Sequence, residues 1–408
     1  MLRRLSYRCL WSILPACLLA AVACGNVKGS SADTELAVPN LAGGAALPSG
    51  AVGLHHYEYV VTDQRMYIYD IDNQQSLVRT LDLPQVRGVK GVAASPPTGM
   101  LYISFGGDGG TNGNGSLLKL NLATNTIEWT KSYSHGIDSM DISPDGSTIY
   151  MPDGEMSDDS NWYVVNAATG DDTGVISGGR SPHNTVVSLD GSHVYMGGRN
   201  FNYLEAADTA TNAAVQKIGP LKDGVRPFTI NAAETLAFTT ATGFLGFQVS
   251  NIRTGRVLYT MPIQGFSWDP KTTVPSTPSH GISLSPDERE LYVMDQPNGF
   301  VHVFDVSGLP DAAPTQVGDI RLRGSMAGNV RPCLYDCEKD GWLQHTSDGR
   351  FVYVGDAGDV IVTSTRQTVA VLASVANTKK FLEIDFRDGR PIFTTSRIGL
   401  GHALTAIN

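Results

Sequence analysis

The chain has 408 residues, 41% of them hydrophobic and 17% charged, with 44 glycines. This composition is globular and turn-rich, and it argues against disorder anywhere but the N-terminal stretch. A formal net charge of −10 argues against nucleic acid as the main partner.

Residues 1–24 predict an export signal. Arg3, Arg4 and Arg8 form its charged start, and residues 9–23 are mostly apolar but too short for an ordinary membrane span. The run ends Ala21-Val22-Ala23-Cys24, which suits Ala-x-Ala cleavage and also resembles a bacterial lipobox with Cys24 as the lipid acceptor. Ala21 stands where such a box usually carries Leu. A lipoprotein is the first reading; plain secretion and a retained membrane helix are the alternatives. The expected location is the periplasm or the cell surface, with the membrane met only through lipid. Residues 25–50, rich in Gly, Ser, Ala and Pro, predict a tether, and residues 51–408 the folded domain.

Tyr57-Glu58-Tyr59-Val60-Val61, Met66-Tyr67-Ile68-Tyr69-Asp70 and Leu77-Val78-Arg79-Thr80-Leu81 read as three half-buried strands. After them one phrase recurs: an apolar run, a tight turn, a second apolar run. Its clearest copies turn at Ser143-Pro144-Asp145-Gly146 and Ser285-Pro286-Asp287-Glu288. Looser copies turn at Ser95, Ser188, Asn231, Thr346 and Phe386. Short strands repeating every roughly 40–50 residues predict a β-propeller. Each blade should have four antiparallel strands, lettered a to d from the axis outward. In the third blade these are about 136–142, 147–152, Trp162–Asn166 and a run near Thr173–Ile176. The three opening strands lack a strand a, and Phe381–Asp385 with Pro391–Thr395 form a closing hairpin that lacks outer strands. One blade shared between the termini therefore completes a ring of seven and leaves no open sheet edge. The C-terminus contributes one strand or two. A monomer is the expected assembly.

Cysteine usage agrees with export. Cys333 and Cys337, the pair left once the leader and Cys24 are set aside, read as a local disulfide in a long blade-connecting loop. A two-thiol metal site is the alternative.

The turn residues at 143–151 and Ser347-Asp348-Gly349-Arg350-Phe351-Val352-Tyr353-Val354 resemble those of YVTN-type seven-bladed propellers of bacterial surface and periplasmic proteins. The resemblance covers roughly residues 55–396. It implies the fold, in a superfamily that includes lactone hydrolases, uncharacterised surface proteins and binding scaffolds, and it selects none of these functions.

Strand order places the a–b turns on one face and the d–a and b–c loops on the other. Residues at the start of each strand a should then ring the channel mouth on that second face. Five residues before the turns stand Lys90, Asp138, His183, Arg226, His280, Gly341 and Phe381; eight before stand Arg87, His135, Arg180, Asp223, Thr277, Glu338 and Thr378. His402, after the last strand, should join them, as should Asp153, Asp295 and Asp356 at the ends of b strands. His135, His183, His280 and His402 are the candidate ligands of a divalent metal such as Zn, Cu, Fe or Mn. Arg87, Lys90, Asp138, Arg180 and Arg226 are the candidate ligand-binding residues, and the cations among them favour an anionic small molecule or oligosaccharide. Histidines that merely hydrogen-bond neighbouring blades are the other reading. His345 should be a packed inner histidine, and His55 and His56 should be solvated. Glu155, Asp158 and Asp159 read as an acidic loop.

No Gly-x-Ser-x-Gly elbow, phosphate-binding loop or Cys-x-x-Cys-His site occurs, which disfavours serine hydrolases, nucleotide hydrolases and c-type cytochromes. Three functions stay open: an anion-binding propeller, with or without a metal; a metal-assisted lyase or lactonase acting on uronates or sugar lactones; and a protein-interaction scaffold with an inert channel.

Overall fold

The computed structural model describes residues 53–271, 277–335 and 337–395. The leader, Cys24, the tether and His402 lie outside these. The described chain forms seven antiparallel sheets and one short 3-10 helix, Val375–Asn377. Six sheets have four strands and run in chain order, as expected of a seven-bladed propeller. Their a strands are Val89–Ser95, Asp141–Ile142, Pro182–Val187, Val225–Ile230, Ile282–Leu284 and Trp342–His345, in blades 2 to 7.

The a–b turns have one chemical design. In blade 3 the Asp145 carboxylate accepts hydrogen bonds from the Ser143 hydroxyl (2.6 Å) and the Ser147 amide (3.0 Å). Asp190 repeats this with Ser188 and Ser192, and Asp348 with Thr346 and Arg350. These bonds hold the Asp190 carboxyl down at about 2. Gly146, Gly191 and Gly349 take the left-handed conformation the turn requires (φ 72–75°), and Glu234 and Glu288 adopt it in their blades at some steric cost.

Strand a of blade 3 is shorter than the predicted 136–142. The first half of that segment leaves its own sheet, and Ser139 bridges in parallel to Asn184 of blade 4.

Closure differs from the other blades in one respect. Blade 1 has five strands, ordered Arg390–Thr394, Phe381–Arg387, Leu54–Thr62, Arg65–Asp70 and Ser76–Asp82. The C-terminus therefore contributes two strands. The turn at 386–389 resembles the repeat in sequence but is a two-residue hairpin, with positive φ at both Asp388 (50°) and Gly389 (76°). Such a turn folds the next strand straight back. Strand b is supplied by Leu54–Thr62 instead, so Arg390–Thr394 sits on the inner side of strand a, where the Gln344 side chain donates to the Thr395 carbonyl and hydroxyl.

Alternation along the strands gives each blade two apolar faces, and seven buried clusters fill the seven junctions between blades. Tyr59 and Ile68 of blade 1 meet Leu101 and Leu118 of blade 2 in one of them; Val60 and Phe381 of blade 1 meet Trp342 and Tyr353 of blade 7 in the last. At the blade 3–4 junction the fully buried Trp162 donates its indole N–H to Thr185 Oγ1 at 3.0 Å. A blade removed from this ring would expose two of these junctions, which is why the ring is one cooperative core.

Candidate functional site

The beginnings of the a strands are not regular. Register slips between Val89 and Gly91, between Pro182 and Asn184, and between Val225 and Phe228. Each slip is a β-bulge, and the displaced residue is Lys90, His183 or the Arg226-Pro227 pair. A bulge leaves a residue out of the ladder and re-aims its side chain. Asp138 and His280 precede their shorter strands at the same register. All five of these side chains are at least nine-tenths buried. Lys90, Asp138, His183 and His280 line one small cavity that is partly open to solvent.

The residues three positions upstream behave differently. Arg87, Arg180 and Asp223 are exposed. Arg180 makes only a loose ion pair with Asp158 at 3.6 Å. His135 is not brought to His183 and His280. Its ring stacks on Tyr163 (centroids 3.4 Å apart), its Nδ1 lies 2.7 Å from the Gly136 carbonyl, and its Nε2 faces Asp172 at 3.3 Å. None of Arg87, His135, Arg180 and Asp223 lines the cavity. Asp153, Asp295 and Asp356 do sit at b-strand ends, where Asp153 and Asp356 mainly hold backbone: Asp153 accepts from Gly136 N, and Asp356 from Asp340 N and Gly341 N. Asp295 is taken by His302 Nε2 at 3.1 Å.

Within the cavity the charges are paired. His183 Nδ1 lies 3.1 Å from Asp138 Oδ2. Its Nε2 is buried and has no hydrogen-bond partner among the described residues. Arg226 donates to Thr242 Oγ1 through Nε (2.9 Å) and to Glu155 Oε2 through Nη1 (3.3 Å), and Arg199 reaches the same oxygen at 2.9 Å. Glu155 is therefore not a solvated loop acid but a buried anchor. His280 donates from Nδ1 to the Gly341 carbonyl (2.8 Å), and its Nε2 lies 3.4 Å from Asp340, which Lys379 holds at 2.8 Å. Burial pushes His280 down to about 4, with Lys379, His183 and Arg226 adding to the effect and Asp340 opposing it. It is neutral near pH 7. Burial also pushes Asp356 up to about 6, against the pull of Lys379.

A cap crosses the mouth. The segment between blades 6 and 7 carries the Cys333–Cys337 disulfide. From it Tyr335 reaches over to blades 2 and 3, where its hydroxyl donates to Glu155 Oε1 (3.2 Å) and its ring receives the Lys90 ammonium 3.2 Å from the centroid. Val330, Pro332, Cys333 and Tyr335 form that side of the cavity.

Lys379, Lys380 and Asp340 were missed by counting back from turns. In blade 1 the turn at Phe386 is the inward hairpin, so Phe381 and not a rim residue stands five positions before it. The doublet Lys379-Lys380 just before it was the available signal. Glu155 was legible only as an acid in a b–c loop; nothing local announced its partners Arg199 and Arg226, 44 and 71 residues away.

The His183 and His280 rings are 6.2 Å apart. Among the described residues no third carboxylate, imidazole or thiol joins them closely enough to complete a metal site; the one such group is His56, Glu383 and Asp385 in blade 1, with ligand atoms within 4.8 Å of one another. His56 was expected to be solvated. It instead lies on strand b of blade 1, its Nδ1 3.0 Å from Asp72. His345 is the packed inner histidine expected, bonded to Ser283 Oγ at 2.9 Å.

The fold and its rim define a seven-bladed β-propeller with a charged, capped channel mouth. No family model and no curated protein matches the chain. Among solved structures it is similar to Kuenenia stuttgartiensis hydrazine synthase, with 17% sequence identity and a TM-score of 0.52 over 69% of this chain and 78% of that one. At that identity the likeness shows the fold alone, and the YVTN-type resemblance rests on the turn residues.

Proposed function

We propose that this propeller binds a small hydroxylated carboxylate, of the sugar-acid or hydroxy-acid class, at the mouth of its channel. One observation carries the reading: His183, a residue of the polar cavity, has a buried Nε2 without a hydrogen-bond partner among the described residues, while its Nδ1 is fixed by Asp138. A buried polar atom left unsatisfied costs about 1–3 kcal/mol, and a ligand that bonds to it recovers that loss. The other lining groups indicate the ligand's chemistry. Lys90, Lys379 and Lys380 supply cations for a carboxylate, while Asp138, Glu155 and Asp356 accept from hydroxyls. Interleaved ammonium and carboxylate groups suit a polyol acid better than a phosphate ester, whose oxygens donate nothing. No metal is needed for this contact.

Export of the protein is part of the proposal. The Cys333–Cys337 bond supports it, because disulfides persist in oxidising compartments, and so does the apolar leader ending at Cys24.

The test is a thermal-shift and calorimetric screen of the purified protein against uronates, aldonates, neutral sugars and inorganic phosphate. A uronate or aldonate should raise Tm in proportion to its concentration over its Kd. His183→Ala and Lys90→Ala should each weaken that ligand about tenfold or more. Binding unchanged in both variants would move the site elsewhere, and no response to any acid would end the reading.

The Asp138–His183 arrangement also favours a second reading. An imidazole oriented by a carboxylate, beside a cavity and with its Nε2 unpartnered among the described residues, has the makings of a general base. Turnover of a uronate glycoside or sugar lactone that vanishes in His183→Ala would make the protein a lyase or lactonase.

A further inference from the structure

We propose that blade 1 carries a divalent-cation site formed by His56, Glu383 and Asp385, with Glu58 beside them, and that the cation ties the N-terminal strand to the C-terminal one. Strand Leu54–Thr62 pairs antiparallel with Phe381–Arg387, and the register sets His56 directly opposite Asp385 and Glu58 directly opposite Glu383. Side chains two apart on a strand share a face, so all four groups project from one side of this two-stranded ladder. The other side carries Tyr57, Tyr59, Leu382 and Ile384, which pack into the blade 1–2 core.

Like charges placed directly opposite on a ladder repel, and here they are also buried. Glu58 and Glu383 are 1% exposed and Asp385 is wholly buried. No lysine or arginine pairs with any of the three among the described residues. Glu383 is steadied by the Ser347 amide and, at 3.0 Å, the Ser347 hydroxyl. The independent sign of a missing partner is Asp385: among the described residues neither of its carboxylate oxygens is bonded to a base or a backbone N–H, and Glu58 Oε1 has no partner either. Three buried carboxylates without a counter-charge are costly. A dication placed among them removes the repulsion and satisfies the orphaned oxygens together.

The donor set indicates the metal. An imidazole with two or three carboxylates suits Zn²⁺ or Mn²⁺, whereas Ca²⁺ and Mg²⁺ take oxygen ligands almost alone. His56 Nδ1 is already held by Asp72, which leaves Nε2 as the donor in the carboxylate–histidine arrangement common at metal sites. Ser347, next to Glu383, belongs to the a–b turn of blade 7, on the face opposite the loops that build the channel mouth. The site is thus separate from the anion-binding reading.

The full-length protein is stripped with EDTA and titrated separately with Zn²⁺, Mn²⁺ and Ca²⁺, following heat of binding, bound metal and Tm. Zn²⁺ or Mn²⁺ should bind at one equivalent and raise Tm by about 3 °C or more at saturation, with Ca²⁺ much weaker. Asp385→Asn and Glu383→Gln should lower affinity at least tenfold while remaining folded, since each removes a repelling charge. His183→Ala should bind Zn²⁺ as the parent does. Uptake below about 0.2 equivalents with no change in Tm would overturn the proposal. So would binding that survives Asp385→Asn, or binding lost only in His183→Ala, which would place the metal at the mouth.

Discussion

The channel mouth and the inner ladder of blade 1 both gather buried charge, and they balance it differently. At the mouth three acids meet bases, Asp138 with His183, Glu155 with Arg199 and Arg226, Asp340 with Lys379, and Asp356 holds backbone amides. At the ladder, Glu58, Glu383 and Asp385 face one another; burial raises the carboxyl affinity of each for protons, and repulsion from Asp385 adds to it at Glu58 and Glu383. A cluster that balances itself is a rigid, preorganised surface that can receive a ligand without rearranging. An unbalanced one calls for a counter-ion from outside the chain. Charge count alone would have treated the two places alike.

Mutations should therefore have opposite signs in the two regions. Removing one partner from the mouth has the largest effect: Glu155→Ala leaves the buried Arg226 guanidinium, and the part-exposed one of Arg199, without their shared carboxylate and should cost about 3 kcal/mol in urea unfolding. At the ladder, Glu58→Gln in metal-free protein should instead gain about 1 kcal/mol, because it removes a repelling charge. A loss there would mean that the ladder is balanced by contacts like those of the mouth.

Acid should discriminate next. Burial holds His345 down at about 3 and His280 at about 4. In the folded state both stay neutral where the unfolded chain, with an ordinary pKa near 6.5, takes up protons. Their contribution is complete above about pH 6.5 and is lost as pH falls toward those folded values. Asp356, raised to about 6, acts the other way: its contribution is present below its ordinary 3.8 and is lost as pH rises through 6. His345→Asn should flatten the acid limb by up to about 1.4 kcal/mol per pH unit between pH 6 and 4, and Asp356→Asn should steepen it. Stability measured across that range in the three proteins checks both signs.

The cap offers a smaller effect. Cys337→Ser frees the loop that carries Tyr335, and the mouth ligand should weaken about three- to tenfold, a cost of roughly 1 kcal/mol, without loss of fold. Smallest of all, Arg180→Ala should change stability by less than about 0.5 kcal/mol and leave binding as it was, because its ion pair is exposed.

Sequence periodicity determined the architecture. Alternating strands and Ser-x-Asp-Gly turns are local properties, and the backbone can satisfy them only as hairpins, so the number of blades and the sharing of one blade between the termini could be read directly. The inner ring was legible for the same reason, since Lys90, Asp138, His183, Arg226 and His280 keep a fixed distance from their turns. Only tertiary structure decided the rest. Bulges displace Lys90, His183 and Arg226 from their ladders, Asp138 and His280 precede theirs, and Arg87, His135 and Arg180, three positions earlier, stay out of the cavity. The Asp388-Gly389 hairpin sends the last strand to the inner side of its blade and brings Lys379 and Lys380 to the rim. Glu58 meets Glu383 across 325 residues of chain. Such meetings depend on how the ring closes, and ring closure is set by long-range packing that no local pattern encodes.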